Sequence, residues 1–264
     1  MSDCSTPTLP TPQAARDSVE LFSARASGYA QFRPHYPAGL FAWLAGQCRQ
    51  TDTALDIAAG NGQASLPLQR HFHRVLACDA SAAQLNAGAH WESVGRFVAD
   101  AEQLPLKDNQ LDLIVVAQAL HWFASPAFFA QARRALKPGG LFCAWCYSLL
   151  EIDPALDEII NRLHGKTLAG YWPAGRASVD AGYRDIHLPF ARLAVPAFAL
   201  EATWSFEQLI GYLRTWSAVT KWQQTHGSDP VAAVQASLRE AWGDVQASRR
   251  IRWPLHFLAG YPTQ

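Results

Sequence analysis

Residues 55–63 read L-D-I-A-A-G-N-G-Q, and this stretch decides the fold. The apolar residues 53–58 predict a buried strand, and the glycines at positions 60 and 62 let the following turn approach a ligand closely. A helix over residues 63–72 is predicted to open from that turn. Many α/β proteins have such a glycine turn with or without a cofactor, so the surrounding elements must decide its purpose.

Strands and helices alternate on both sides of this turn. Further strands are predicted at residues 74–78, 96–98, 111–117 and 141–146. Helices are predicted at residues 37–48, 81–89 and 126–136. The K-P-G-G sequence after residue 136 is predicted to stop the last of these helices. Strands separated by helices indicate βαβ units, so we predict an α/β fold with a mostly parallel sheet.

The pattern changes after residue 150. Helices are predicted to begin at Asp153-Pro154, at the capping box of Ser205 and Gln208, and at Asp229-Pro230. Residues 190–203 are predicted to be extended. Residues 248–259 are predicted to form a final strand, in which Pro254 suggests an edge position or a bulge.

Tryptophan is unusually abundant in this second part of the chain. Six of the ten tryptophans lie after residue 150, at positions 172, 204, 216, 222, 242 and 253. Two interpretations stay open. These rings seal the C-terminal helices against the core, or some of them wall a substrate pocket, for which Trp122, Trp172 and Trp216 are the best candidates.

The charge balance restricts the partners of the protein. Its 264 residues carry 22 Lys+Arg and 22 Asp+Glu, so the net charge is zero and we expect no nucleic-acid partner. Hydrophobic residues make up 49% of the chain, which excludes wholesale disorder. The most apolar stretch, residues 111–123, is too short to cross a bilayer. The Ser/Thr/Pro-rich start has no signal-peptide pattern, so we expect a flexible tail over residues 1–21 and no membrane association.

Five cysteines indicate a reducing compartment. An odd number in a domain of this size favours free thiols, and we therefore predict a cytoplasmic protein. Cys143 and Cys146 form a C-x-x-C pair, but residues three apart in a strand face opposite sides of the sheet. The histidines share no ligand-like spacing either, so we predict no metal ion.

Acidic residues at three predicted strands narrow the choice of cofactor. Asp56 lies inside the first strand beside the glycines, where a buried carboxylate would repel a pyrophosphate and attract an ammonium group. Asp79 ends the second strand and can accept two hydrogen bonds from ribose hydroxyls. Asp100, Ala101 and Glu102 end the third, where a backbone N–H and a carboxylate suit an adenine edge. An ammonium, a ribose and an adenine together describe S-adenosylmethionine.

Alternatives from other classes stay open at this point. A dinucleotide site also combines a glycine turn with an acidic residue about 20 positions later, where Asp79 lies, so an NAD(P)-dependent oxidoreductase is the main rival. A module that binds the cofactor without turnover is a second. Nucleic-acid methylation is disfavoured by the charge balance and by the lack of an Asn/Asp-Pro-Pro-aromatic motif.

Six motifs in order resemble the class I S-adenosylmethionine-dependent methyltransferases, and more narrowly the trans-aconitate methyltransferase (methyltransferase type 11) branch. They are Y-x-x-x-R-P-x-Y-P from residue 29, L-D-x-x-x-G-x-G from 55, C-D-A-S from 78, A-D-A-E-x-L-P from 99, A-Q-A-L-H-W-F from 117 and L-K-P-G-G from 136. The resemblance spans residues 22–260. It implies a Rossmann-like, seven-stranded sheet with helices on both faces and a final antiparallel strand. It also implies that residues 151–264 form a mainly helical, substrate-covering region packed on a 22–150 core as one domain.

The resemblance implies roles at matched positions. The cofactor would be bound by Tyr29, Arg33, Asp56, Ala58, Ala59, Gly60, Asn61, Gly62, Asp79, Ala80, Asp100, Ala101, Glu102, Ala117 and Gln118. For a small-molecule acceptor we select Tyr36, Trp122, Trp172 and Trp216. Methyl transfer would be direct and in line, to a carboxylate or hydroxyl oxygen, by a monomer or homodimer. A carboxylate needs no base, whereas for a hydroxyl or amine His121 is the candidate base, with Tyr29 or Tyr36 as the alternative.

One position departs from the family pattern. Ala58 stands where the family usually has glycine, and alanine adopts only negative φ comfortably. We expect the turn to survive this exchange and cofactor affinity to be the property that it affects.

Overall fold

The structure is a computed structural model that describes residues 34–88 and 91–263. The helices in this part of the chain are α1 (Ala38–Gln47), α2 (Ser65–Leu68), α3 (Ala82–Ala87), α4 (Pro126–Ala135), α5 (Pro154–Arg162), α6 (Arg176–Asp180), α7 (Phe206–Arg214), α8 (Ser217–His226) and α9 (Pro230–Trp242). The strands are β1 (Thr53–Ile57), β2 (Arg74–Asp79), β3 (Val94–Val98), β4 (Leu111–Ala117), β5 (Leu136–Tyr147), β6 (Ala191–Arg192), β7 (Ala199–Trp204) and β8 (Arg249–Tyr261). A 3-10 turn covers Leu120–Trp122, and a π turn covers Leu163–Thr167.

The strands form a mixed sheet in the order β3-β2-β1-β4-β5-β8-β6, and β7 pairs with β8 outside this row. Neighbours from β3 to β5 are parallel, whereas β8 runs antiparallel to β5, β6 and β7. The chain therefore has the predicted Rossmann-like α/β fold, with seven strands in the row and a final antiparallel strand.

The register brings the carboxyl ends of the parallel strands to one edge. Asp56 of β1 pairs with Ala77 of β2 and Val115 of β4, while Asp79 pairs with Val98 of β3. β1 and β4 are almost wholly buried, which their apolar sequences allow because a parallel sheet is covered on both faces. Asp56 in β1, Asp79 at the end of β2 and Asp100 after β3 consequently lie along one edge of the sheet.

Each face of the sheet carries its own hydrophobic core. One core joins α1 to β5 and to the C-terminal helices, and the other joins α4 to β4 and to the segment after α6. Cys143 lies in the first core and Cys146 in the second, which confirms that the C-x-x-C pair is split between the faces. The four cysteines in the described residues are free thiols, and Cys4 lies outside those residues.

The helix predicted over residues 63–72 is shorter than expected. Only Ser65–Leu68 is helical, and it contains Pro67, which has no N–H to extend a helical ladder. The backbone N–H groups of the next residues bond to carbonyls three positions back, as in Arg70 to Pro67 and His71 to Leu68. The segment therefore continues as tight turns.

The K-P-G-G sequence was predicted to lie outside the strand that follows it, and this was wrong. Helix α4 ends at Ala135, and β5 already begins at Leu136. Leu136 pairs with Leu111 and Leu141 pairs with Leu113, so the four residues between form a bulge. Gly139, with φ +80°, supplies the left-handed backbone that this bulge needs.

Pro254 was predicted to mark an edge strand or a bulge, but β8 lies inside the sheet. Residues up to Pro254 pair with β7, whereas Leu255 onward pairs with β5. Proline, which cannot donate a ladder hydrogen bond, thus stands where the strand changes partners.

The C-terminal helices begin where their caps predict. Asp153 and Asp229 accept backbone N–H groups at the starts of α5 and α9, and Ser205 with Gln208 forms a complete capping box on α7. The extended residues 190–203 contain β6 and β7. No helix in the described ranges is both long and apolar enough to cross a membrane.

Candidate functional site

Asp56 is a buried carboxylate next to the glycine turn. Its side chain is 1% exposed, and its Oδ2 accepts a hydrogen bond of 2.6 Å from Ser65 Oγ. Its Oδ1 is buried without a hydrogen-bond partner. Burial raises the pKa of Asp56 to about 7, against the lowering effect of the Ser65 hydroxyl. A bound cation is the kind of group that would satisfy this unpartnered oxygen.

Left-handed backbone shapes the turn between β1 and α2. Ala58, Gly60 and Gly62 have φ values of +55°, +57° and +91°. A Cβ on Gly62 would lie 2.6 Å from the Trp91 ring, so only glycine fits there. The turn does form with Ala58, as expected. The left-handed conformation of this alanine costs an L-residue about 1–2 kcal/mol relative to the right-handed one. Ala59 and Asn61 complete the turn, and Ala59 N donates to Cys78 O at 3.0 Å.

Asp79 braces the same turn from the end of β2. Its Oδ2 accepts from Gly60 N at 3.0 Å, and its Oδ1 accepts from Ser81 N at 2.8 Å. Ser81, not Asp79, caps helix α3, because the Ser81 hydroxyl accepts from Gln84 N. Each carboxylate oxygen can accept a second hydrogen bond, so both remain able to bind ribose hydroxyls. Ala80 is exposed beside it.

The acidic residues after β3 are already partly engaged. Asp100 is exposed, and its Oδ1 accepts from Glu102 N at 2.8 Å. The Glu102 carboxylate accepts from the hydroxyl of Ser125, which caps helix α4. Ala101 between them is half-buried. Glu102 thus links the β3 loop to α4, which sequence reasoning missed because this pairing joins residues far apart in the chain.

Gln118 and His121 follow β4 at the same edge of the sheet. Ala117 and Gln118 are half-buried, and Gln118 has φ +59°. His121 is 8% exposed, and its Nδ1 lies 3.2 Å from Tyr183 Oη. Burial, assisted by the Arg176 charge, lowers the pKa of His121 to about 3, so the imidazole is neutral.

Tyr183 holds this histidine from the segment after α6. Its ring is completely buried, and its backbone is left-handed at φ +60°. The pKa of the phenol is raised well above its usual value, chiefly by burial, so the Tyr183 hydroxyl keeps its proton beside His121 Nδ1. Nothing in the local sequence marked Tyr183, which reaches His121 only through the fold.

An aromatic cluster stands beside His121. The ring centres of Trp172 and Trp216 lie 5.5 Å apart, and the ring centre of His164 lies 4.5 Å from that of Trp172, with the two rings tilted. The Arg176 guanidinium sits 4.5 Å from the centre of the Trp172 ring. We call Trp172, Trp216, His164 and Arg176 the aromatic wall. Two of its members were predicted from sequence, whereas His164 and Arg176 carried no motif.

The other predicted acceptor residues lie outside this cluster. Trp122 is half-buried with its ring 4.8 Å from His121. Tyr36 is 7% exposed and packs edge-on against Trp145 at 5.4 Å, so most of its ring belongs to the core. Tyr29 and Arg33, with the predicted tail over residues 1–21, lie outside the described residues.

Metal and cofactor place different demands on this edge. In the described ranges no group of three or more His, Cys, Asp or Glu side chains is arranged to hold a metal ion. A cofactor with a cationic amine and a ribose fits better. Asp56 offers a buried carboxylate oxygen without a hydrogen-bond partner, and the Asp79 oxygens can each accept a further hydrogen bond. Gly60 lacks a side chain, so a ligand can approach the backbone of the turn there.

Comparison with known proteins agrees with this chemistry. The family model described as a methyltransferase domain matches residues 55–144. A protein of Dictyostelium discoideum named as a methyltransferase is 30% identical over 238 residues, which cover 89% of each chain. The malonyl-[acyl-carrier protein] O-methyltransferase of Hahella chejuensis is 30% identical over 63% of each chain.

A solved structure extends the similarity to the whole fold. It is named for a type II methyltransferase from Anaeromyxobacter dehalogenans, with 40% identity and a TM-score of 0.83. The match covers 88% of this chain and all of that one. None of these three relatives is named for trans-aconitate, so they support the wider family and not that branch.

Proposed function

The chain belongs to the class I S-adenosylmethionine-dependent methyltransferases, a family that implies this cofactor, and from that premise we propose that it methylates an oxygen of a small-molecule acceptor. The observation that carries the proposal is the hydrogen bond from Gly60 N to the Asp79 carboxylate at the edge of the sheet. It lies beside the Asp56 oxygen that has no hydrogen-bond partner. One relative, the malonyl-[acyl-carrier protein] O-methyltransferase, is named for transfer to oxygen.

The residues divide the work between cofactor and acceptor. We assign the ribose to Asp79, the amine to the region of Asp56, the methionine part to the turn over residues 58–62, and the adenine to residues 80 and 100–102. Residues 117–118 complete the cofactor side, together with Tyr29 and Arg33. Bound S-adenosylmethionine supplies an activated methyl group on a sulfonium, so the protein mainly orients the acceptor and excludes water.

His121 takes a supporting place in this proposal. A neutral imidazole with a pKa lowered to about 3 accepts a proton only weakly but still has one N–H that can donate a hydrogen bond. We therefore assign it to orienting an acceptor oxygen. Trp122 and the aromatic wall shape the acceptor space, and residues 151–264 form the region that covers it.

The first experiment is a titration of the protein with S-adenosylhomocysteine and, separately, with NADH. We expect S-adenosylhomocysteine to bind and NADH not to bind. Asp79→Ala should weaken S-adenosylhomocysteine binding at least about tenfold, because the ribose loses its acceptor and the turn loses its brace. Calorimetry measures both affinities.

The matched control is Asp108→Ala, which removes an exposed carboxylate paired with Arg134 on the surface. Its S-adenosylhomocysteine affinity should equal that of the wild type. Tight binding of NADH alone would instead support an oxidoreductase. An unchanged affinity in Asp79→Ala would remove Asp79 from the site, and cofactor binding without methyl transfer to any acceptor would indicate a non-catalytic module.

A further inference from the structure

Arg176 is a cation inside the aromatic wall. It is the first residue of α6, directly after Gly175, whose backbone is left-handed at φ +85° and packs against His121. Its Nε donates to Asp180 Oδ1 at 2.8 Å, while its guanidinium lies 4.5 Å from the Trp172 ring centre. Its side chain is 24% exposed, so the charge is sheltered and still reachable.

The guanidinium has donors to spare. Within the described residues its one hydrogen-bond partner is Asp180, and it engages Nε alone, so the two terminal amino groups have no partner there. An arginine presents five N–H donors in a fork that matches a carboxylate. A sheltered arginine with its fork unfilled is what a site for a small anion requires.

The two histidines near Arg176 are kept uncharged, so Asp180 is its one charged partner in the described residues. Burial and the nearby arginine lower the pKa of His164 to about 4, and the same two causes act on His121. His164 Nε2 is buried without a hydrogen-bond partner and lies 3.7 Å from Asp180 Oδ2. Both imidazoles are thus neutral beside the Arg176–Asp180 ion pair, and His164 also contacts the rings of Trp172 and Trp216.

We propose that Arg176 is the specificity-determining residue for the acceptor, and that the acceptor is a carboxylic acid whose apolar part lies along Trp172 and Trp216. This inference rests on the proposed methyltransferase function and names its substrate class. The terminal amino groups of Arg176 hold one carboxylate oxygen and leave the other free to react.

Methyl transfer to a carboxylate then needs no base, because the attacking oxygen carries no proton. A carboxylate oxygen forms the new O–CH3 bond as the C–S bond breaks, and the bonding electron pair stays on sulfur. An anion and a sulfonium become a neutral ester and a neutral thioether, and no proton is released. The ester no longer pairs with Arg176, which favours release of the product.

The test measures acceptor binding in the presence of saturating S-adenosylhomocysteine, which requires no turnover. The probes are benzoate, cinnamate and octanoate, each paired with its primary amide, and calorimetry gives the affinities. We expect at least one acid to bind at least ten times more tightly than its amide. Arg176→Gln should lower that acid affinity at least tenfold, whereas Arg176→Lys should recover part of it.

The matched control is Arg162→Gln, which removes another ion pair between residues four apart, with Glu158, on the exposed side of α5. It should leave the affinity of the acid unchanged. Thermal melting and S-adenosylhomocysteine affinity show whether Arg176→Gln is folded, and Arg176→Lys keeps the test valid if it is not.

The outcomes separate this inference from the function on which it rests. Three results would each overturn the role of Arg176, even where S-adenosylhomocysteine binds. They are equal affinities of acids and amides, no binding by any acid, and an acid affinity that is unchanged in Arg176→Gln. Loss of S-adenosylhomocysteine affinity in folded Arg176→Gln would assign the arginine to the cofactor instead. Absence of S-adenosylhomocysteine binding in the wild type would overturn the proposed function itself.

Discussion

At the scale of single residues, the glycine turn contains one side chain that strains it. Ala58 adopts φ +55°, which only glycine reaches without a steric penalty. The surrounding contacts hold it there, since Ala59 N bonds to Cys78 O and Gly62 N bonds to Ala59 O. Strain of this kind is often found at ligand sites, where neighbouring structure fixes it in place.

Glycine at this position should relieve the strain. Because the left-handed penalty exceeds the extra chain entropy that glycine loses on folding, we expect Ala58→Gly to raise the free energy of unfolding by about 0.5–1 kcal/mol. Urea denaturation measures this. Ala83→Gly, an exposed position in helix α3, is the matched control and should destabilise by a similar amount. Equal destabilisation by both changes would mean that Ala58 is not strained.

At the scale of elements, the starts of β1, β4 and β5 are joined by two ion pairs, which Lys137 makes with Asp52 and Asp112. Asp112 is 4% exposed and accepts from the backbone N–H groups of Asp52 and Thr53. Lys137, in the bulge of β5, reaches the same carboxylate at 2.9 Å. This cluster lies at the edge of the sheet opposite the proposed cofactor residues, so it holds the strands together without touching that site.

Lys137→Met should therefore separate stability from binding. It leaves the buried Asp112 carboxylate without its cation, and we expect the free energy of unfolding to fall by about 2 kcal/mol. Affinity for S-adenosylhomocysteine should stay unchanged. Urea denaturation and calorimetry check the two expectations, with exposed Lys107→Met as the control. A loss of affinity as large as the loss of stability would show that the two edges are coupled.

Sequence periodicity predicted these elements well where local chemistry decides them. The apolar runs of β1 and β4 and the caps at Asp153, Ser205 and Asp229 act over a few residues, so they are visible in the chain. The bulge in β5 was not predictable, because its reason is a pairing with Leu111 and Leu113. Arg176 and Tyr183 were missed for the same reason. Each acts on His121, which lies more than fifty residues earlier in the chain, and only the fold brings them together.

At the scale of the whole molecule, the core role of the tryptophans is confirmed, whereas a pocket role for Trp172 and Trp216 stays a prediction. Trp204, Trp242 and Trp253 are buried in the core that joins the sheet to the C-terminal helices. Trp172 and Trp216 lie with Arg176 and His164 in the aromatic wall. Ring contacts through Tyr212 connect the two groups, since Tyr212 lies 6.2 Å from Trp216 and 5.6 Å from Trp253.

The buried neutral histidine should make the whole fold sensitive to acid. The pKa of His121 is about 3 in the folded state and about 6.5 when unfolded, so the unfolded chain alone binds a proton between these values. Its contribution is therefore present above pH 6.5 and is lost as pH falls toward 3. His121 alone should therefore contribute a loss of about 2 kcal/mol at pH 5 relative to pH 8, beside the opposite effect of Asp56, whose pKa is raised.

Urea denaturation at pH 8 and pH 5 gives the total change in stability for the wild type and for His121→Gln, and the difference between the two proteins isolates His121. The variant cannot titrate and should lose about 2 kcal/mol less than the wild type between the two values. The control is exposed His187→Gln, which should follow the wild type. Parallel behaviour of all three proteins would show that His121 does not stay neutral in the folded state.

The change of partner at Pro254 has a consequence for the order of folding. Strand β8 pairs with β5, β6 and β7, so one thirteen-residue segment joins the parallel part of the sheet to the strands of the C-terminal region. These pairings join segments far apart in the chain, which makes them slow to form. While the chain is being synthesised, the edges of β5 and β7 that pair with β8 stay unpaired until this last strand is made.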